Sequence, residues 1–245
     1  MANCRQSVLP AATGDRPTAD EIREMSALFL PAGVALSIIC PAMLTIAHRV
    51  ENGGRGEDRV LVEHSGSRTL AVVADGAGGT GGGAAAAAMA CSIAAQRLRT
   101  RGTGTAEDWV KCLYEVDQAV VRTGGQCTAV IVEISQGRVV GASVGDSGAW
   151  LLTGKAIVDL TENQHRKPLP GSDEALPMGF GPVELSGRLL IATDGLFSYA
   201  TDSDIAQRAT ALSLNDAVDQ LIAGVRLPNG ALQDDVAIIL LEDVA

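Results

Sequence analysis

Four acidic positions each end or interrupt an apolar run: Asp58 in GEDRVLV, Asp75 in LAVVADGAGG, Asp194 in LLIATDGLF, and Asp234 with Asp235 in LQDDVAIILL. Taken singly, an Asp at a strand end is a solvated turn former. Two of these, Asp75 and Asp194, share one pattern, an apolar strand running into Asp-Gly. If such strand ends converge, several carboxylates face one point. Like charges that close raise one another's pKa and repel unless a cation lies between them. A hard divalent ion with oxygen ligands, Mg²⁺ or Mn²⁺ rather than zinc, answers that need. Gly76, directly after Asp75, lets its backbone approach such an ion without side-chain hindrance.

The elements that must bring these residues together are legible from periodicity. Leu61–Glu63 and Thr69–Ala74 read as a strand pair joined by the polar segment 64–68. The glycines from Gly76 to Gly83 run into Ala84–Ala88, a loop opening a helix that extends to about Arg99. Its Ala-rich face would let it lie close against a sheet. Thr105 caps a second helix with Glu107 and Asp108 in its first turn, and Trp109, Leu113, Val116 and Val120 form its apolar stripe. From Cys127 the texture turns to strand: CTAVIVEI, RVVGASVG, GAWLL and AIVDL, read as an antiparallel meander. A Pro- and Gly-rich stretch at 167–182 follows, then a strand at Arg188–Thr193, helices near Asp202–Leu212 and Asn215–Val225, and a closing strand at Val236–Leu241. Strands, two helices, strands, two helices and a strand make an α+β layered sandwich.

Composition removes several alternatives. The 245 residues are 47% hydrophobic and 20% charged, which is the balance of a globular chain. Aromatics are 3%, so the core must be built from tightly packed Ala, Val, Ile and Leu. The formal charge is −10 with no basic run, which argues against a nucleic-acid partner, since phosphate backbones are held by Lys and Arg. Five scattered cysteines without C-x-x-C suggest neither a zinc site nor a disulfide framework, and point to a reducing, cytoplasmic setting. Residues 1–30 read as a flexible leader, and 31–245 as one domain. Within Ala27–Ala47, 21 residues carry no charge, long enough to span a bilayer. Pro31, Gly33 and Pro41 and the acidic flank favour instead two buried strands, Val34–Cys40 and Met43–Val50, and no membrane role.

Seven segments in order resemble the metal-dependent protein phosphatase family of type 2C. They are Glu57-Asp58, ADGAGG at 74–79, GQCTA at 125–129, VGDSGAWLL at 144–152, LTENQHRKP at 160–168, ATDGLF at 192–197 and DDVAIILL at 234–241. The resemblance implies an α-β-β-α sandwich, two central antiparallel sheets flanked by helices. It implies two Mn²⁺ or Mg²⁺ ions held by Asp75, the Gly76 carbonyl, Asp194 and Asp234, with Asp58 and Glu57 acting through water. Asp235 would support these ligands, and Asp146 would be a turn and sheet residue. A hydroxide between the two ions would attack the phosphorus of phosphoserine or phosphothreonine in a protein substrate, in line with the leaving group.

The chain also departs from that family. Ala77 stands where some members have a His able to act as general acid. The phosphate-gripping Arg is expected at Gly53, which leaves Arg55 as the candidate and Arg49 as a more distant one. Ser198 replaces an acid of a third, weaker metal site, so two ions are expected. The short stretch between His165 and Asp194 implies that the substrate flap is cut down to a loop. Two other functions stay open on these grounds: a catalytically weak binding module on the same scaffold, and a small-molecule phosphatase.

Overall fold

Why the chain forms two sheets follows from where its apolar residues point. The structure, a computed structural model, describes residues 43–77, 81–122, 124–154, 156–211 and 213–244. The expected leader 1–30 and the strand Val34–Cys40 lie outside these residues. In chain order the first strands are β1 (Met43–Glu51), β2 (Arg59–Ser65), β3 (Arg68–Ala74) and the two-residue β4 (Gly76–Ala77). Helices α1 (Gly83–Thr100) and α2 (Ala106–Val121) follow, then β5 (Gln126–Cys127), β6 (Ala129–Ser135) and β7 (Arg138–Val144). Next come β8 (Gly148–Thr153), β9 (Ala156–Asp159), β10 (Met178–Glu184) and β11 (Arg188–Ala192). The chain ends with α3 (Asp194–Phe197), α4 (Asp202–Ala211), α5 (Leu214–Gly224) and β12 (Val236–Val244).

One antiparallel sheet has the order β1-β12-β11-β8-β9 and the other β10-β7-β6-β3-β2. Alternate residues of each strand serve different layers. Ala71 and Val73 of β3, Leu189 and Ile191 of β11, and Ala237 and Ile239 of β12 pack between the two sheets. Their neighbours Leu70 and Val72 face α1 and α2, while Leu190 and Ile238 face α4 and α5. This is the expected α-β-β-α sandwich. Each fully buried Leu, Ile or Val contributes about 1.5–3 kcal/mol relative to exposure. Alanines 86, 87, 90 and 94 of α1 are buried without exposure, so the small residues do let that helix sit close to its sheet.

The second helix begins as its sequence dictates. Thr105 and Asp108 form a reciprocal capping box, and Trp109, Leu113, Val116 and Val120 are buried. Two expectations are corrected. The strands after Cys127 are not one meander: β6 pairs with β7 and β8 with β9, but β7 and β8 lie in different sheets. Gly145, at φ +109°, turns the chain from one sheet to the other. The stretch 167–182 is not all loop. Met178–Glu184 is an edge strand on β7, with a register shift between Phe180 and Val183. Only Phe180 of its seven residues is buried, so the strand has almost no apolar pattern to announce it. No helix among the described residues is long and apolar enough to cross a membrane.

Candidate metal centre

Antiparallel pairing brings strand ends and strand starts to the same edge. Arg59 is opposite Ala74, so Asp58, just before β2, meets Asp75, just after β3. Ala192 is opposite both Ile238 and Gly148, which sets Asp194 beside the start of β12 and the turn that precedes β8. Both sheets therefore deliver carboxylates to one end of the sandwich. Oxygens of Asp75, Asp146 and Asp194 lie within 4.8 Å of one another. Asp58 hydrogen-bonds Asp75, and the charge of Asp234 acts on both Asp75 and Asp194. Asp75 and Asp194 thus meet directly and Asp58 joins them through Asp75, while Asp234 acts on them by its charge without belonging to the tight group.

The structure adds Asp146, for which the resemblance implies only a turn and sheet role. That assignment is corrected: its carboxylate belongs to the acidic cluster, because Gly145 redirects the chain across the sandwich at this point. An acid in a Gly-Asp-Ser turn between two apolar strands carries no local mark of such a position.

Each carboxylate is held by its surroundings. Asp58 is 2% exposed and accepts a hydrogen bond of 2.8 Å from the Thr193 hydroxyl, which in turn accepts from the Ala237 amide at 2.9 Å. The Asp75 amide donates to Thr128 Oγ1 at 3.2 Å, and the Thr128 amide donates to the Asp75 carbonyl at 2.8 Å. Asp235 does support the site. It accepts hydrogen bonds of 2.7 Å from the amides of both Gly53 and Glu57, fixing the loop that carries Arg55, Glu57 and Asp58. Burial opposes ionisation of Asp235, but the amides of Glu57, Gly53, Arg55 and Gly56 hold its carboxyl below the ordinary carboxylate range. The Arg55 side chain is exposed and makes no hydrogen bond or ion pair among the described residues.

Glu57 and Gly76 meet at the start of α1. A Cβ built on Gly83 would fall 2.7 Å from Glu57 Oε1 and 2.7 Å from the Gly76 carbonyl oxygen. Glu57 Oε2 is buried and has no hydrogen-bond partner. An orphaned carboxylate oxygen beside a backbone carbonyl and converging aspartates is a donor set of hard oxygens. It fits Mg²⁺ or Mn²⁺.

The electrostatics say the same. Burial, then the Asp75 charge, lifts Asp58 from 3.8 to about 8. Burial, then Asp75, Asp146 and Asp234, lifts Asp194 to about 7. Asp75 is raised as well, by burial above all, although its bond from Asp58 works the other way. Native protein free of metal therefore binds protons that the unfolded chain releases. The stability from those protons is complete below about pH 4 and is lost as pH rises through 7 and 8. Thermal melts in chelator should show a midpoint that falls from pH 5.5 to 8.5, with Mn²⁺ restoring more at pH 8 than at pH 6. A midpoint that is flat or rising over that range would show that these acids do not crowd one another.

The family model described as Stage II sporulation protein E (SpoIIE) matches residues 65–243. No curated protein sequence matches significantly. Among solved structures, the serine/threonine phosphatase Stp1 from Staphylococcus aureus is 20% identical, with a TM-score of 0.72, covering 88% of this chain and 100% of that one. The Mycobacterium tuberculosis serine/threonine phosphatase PstP/Ppp is 18% identical, with a TM-score of 0.69, covering 82% of this chain and 99% of its own. A second PstP structure, its catalytic domain in complex with 2 manganese ions, is 19% identical, with a TM-score of 0.69 and coverage of 82% and 99%. At these identities the likeness is one of fold.

Proposed function

The chain belongs to the Stage II sporulation protein E family, whose members are PPM-type phosphatases, and from that premise we propose a metal-dependent phosphomonoester hydrolase acting on phosphoserine and phosphothreonine of proteins. The observation that carries this reading is the meeting of Asp75, Asp146 and Asp194 within 4.8 Å, with Asp58 buried behind them. Asp75, the Gly76 carbonyl, Asp194 and Asp234 are the proposed ligands of two Mn²⁺ or Mg²⁺ ions, with Asp58 and Glu57 holding water. When bound, the ions supply Lewis acidity, neutralising phosphoryl charge and acidifying water for in-line attack.

The protein's own residues do the positioning. Thr193 fixes the Asp58 carboxylate, Thr128 fixes the Asp75 backbone, and Asp235 locks the loop that presents Glu57. Pre-set geometry of this kind is what lowers a barrier without reorganisation at the moment of reaction. Ala77 offers no imidazole to donate the leaving-group proton. Residues 31–245 are proposed as the catalytic domain and 1–30 as its leader. A cytoplasmic location is proposed on the free thiols of Cys91, Cys112 and Cys127.

Competition distinguishes the substrate classes. With Mn²⁺ present, phosphoserine and phosphothreonine peptides should inhibit hydrolysis of a chromogenic aryl phosphate more strongly than small sugar or nucleoside phosphates. Equal inhibition by both would make the protein a small-molecule phosphatase.

A further inference from the structure

A guanidinium on the phosphoryl oxygens would add orientation to the charge neutralisation that bound metal supplies, and the position where the family resemblance implies one is closed. A Cβ on Gly53 would lie 2.1 Å from the Asp234 carbonyl oxygen, so no side chain fits there. Arg49 pairs with Asp219 on α5, which is not one of the clustered acids. Arg59 is spent on the carbonyls of Gly56 and Asp58, at 2.9 and 2.7 Å. Arg55 is exposed and, among the described residues, makes no ion pair with the clustered acids.

Arg166 is different. Its Nη2 lies 3.3 Å from Asp146 Oδ2, a carboxylate of the cluster itself, while the side chain stays 75% exposed. Its charge reaches Asp194 as well, opposing the rise of that group's pKa. The backbone on its N-terminal side is stitched to the same turn. The Gly145 amide donates to the His165 carbonyl at 2.9 Å, and Gln164 Nε2 donates to the Ser147 carbonyl at 2.7 Å. The base of Arg166 is therefore fixed beside Asp146, and its guanidinium faces solvent. A guanidinium has five donors in a planar fork, so one edge can stay on Asp146 while another takes two phosphoryl oxygens.

We propose that Arg166, tethered at the rim of the acidic centre by Asp146, is the residue that binds the substrate's phosphoryl group. Arg166 touches the substrate, and Asp146 positions it. The inference rests on the phosphatase reading for its substrate, yet its test needs no turnover.

The test measures binding of inorganic phosphate to the manganese-loaded full chain by calorimetry, alongside KM for an aryl phosphate. Arg166→Ala should weaken phosphate binding and raise KM by about tenfold or more, the loss expected for a charge-assisted bidentate contact. Its manganese stoichiometry should match the wild type. Arg166→Lys should recover part of the loss, as a point charge without the fork. Phosphate affinity within twofold of wild type in Arg166→Ala overturns the proposal, most directly if Arg55→Ala then weakens it. Failure of Arg166→Ala to bind manganese also overturns it, because the residue would then serve the metal centre. So does a wild type that binds manganese but no phosphate. A wild type that binds phosphate but hydrolyses no ester defeats the phosphatase reading alone, and the affinity comparison still decides the role of Arg166.

Discussion

Replacing Asp75 by Ala is expected to cost about 10³-fold or more in manganese-dependent hydrolysis while making the metal-free protein more stable at pH 8. Both effects come from one cause. The Asp75 charge is the leading electrostatic contribution to the raised pKa of Asp58 and of Asp194, each already pushed up by burial. Removing it lets both neighbours ionise at less cost, so the penalty that the metal-free fold carries above pH 7 shrinks. The same substitution removes a proposed ligand from the centre of the cluster, the one acid that joins Asp58 to Asp146 and Asp194. Loss of activity joined to gain of stability marks a site where charge repulsion is kept for function. Aryl phosphate turnover and thermal melts in chelator measure the two halves. A variant that melts lower than wild type at pH 8 would show that Asp75 is a structural acid.

Asp117→Ala is expected to do the reverse, destabilising the fold by about 3 kcal/mol with no change in manganese stoichiometry. The Asp117 carboxylate is 2% exposed on α2 and accepts hydrogen bonds from four backbone amides across the chain. These are Gly171 at 2.6 Å, Ser172 at 3.1 Å, Asp173 at 3.0 Å and Ala175 at 3.1 Å. This one side chain pins the segment that leads into β10. Gly171 helps from the other side: at φ +101°, it passes so close to Gly125 that a Cβ would sit 2.2 Å from the carbonyl oxygen. Without the carboxylate, four amides lose their acceptor and the segment must find water. Urea unfolding reads the loss as a lower midpoint at unchanged slope. A midpoint equal to that of wild type would mean the segment holds itself in place.

Asp75 and Asp194 are legible because an apolar strand stops and an acid follows, and Asp58 and Asp234 because an acid stands just before an apolar strand begins. The capping box at Thr105 and the stripe from Trp109 to Val120 were readable for the same reason, each being a short-range pattern with one physical solution. The crossing between sheets was not. All of β7 except Arg138, and all of β8 except Thr153, are buried, so neither strand has a polar face to show which sheet it joins. Asp146 and Arg166 depend on that crossing, since the turn at Gly145 brings both to the acids. The edge strand β10 was hidden by exposure. Its backbone bonds to β7 hold it, and backbone bonds leave little trace in side-chain pattern.

On the proposed function, this acidic end of the sandwich becomes a hydrolytic centre when it binds divalent metal. That function is tested most directly by stripping the protein with chelator and following aryl phosphate turnover as Mn²⁺ is added back. The stripped protein should show no turnover, added Mn²⁺ a rise that saturates at two ions per chain, and Asp75→Ala or Asp194→Ala no rise. Folded wild-type protein that takes up no Mn²⁺, or turnover that survives both substitutions, would contradict it.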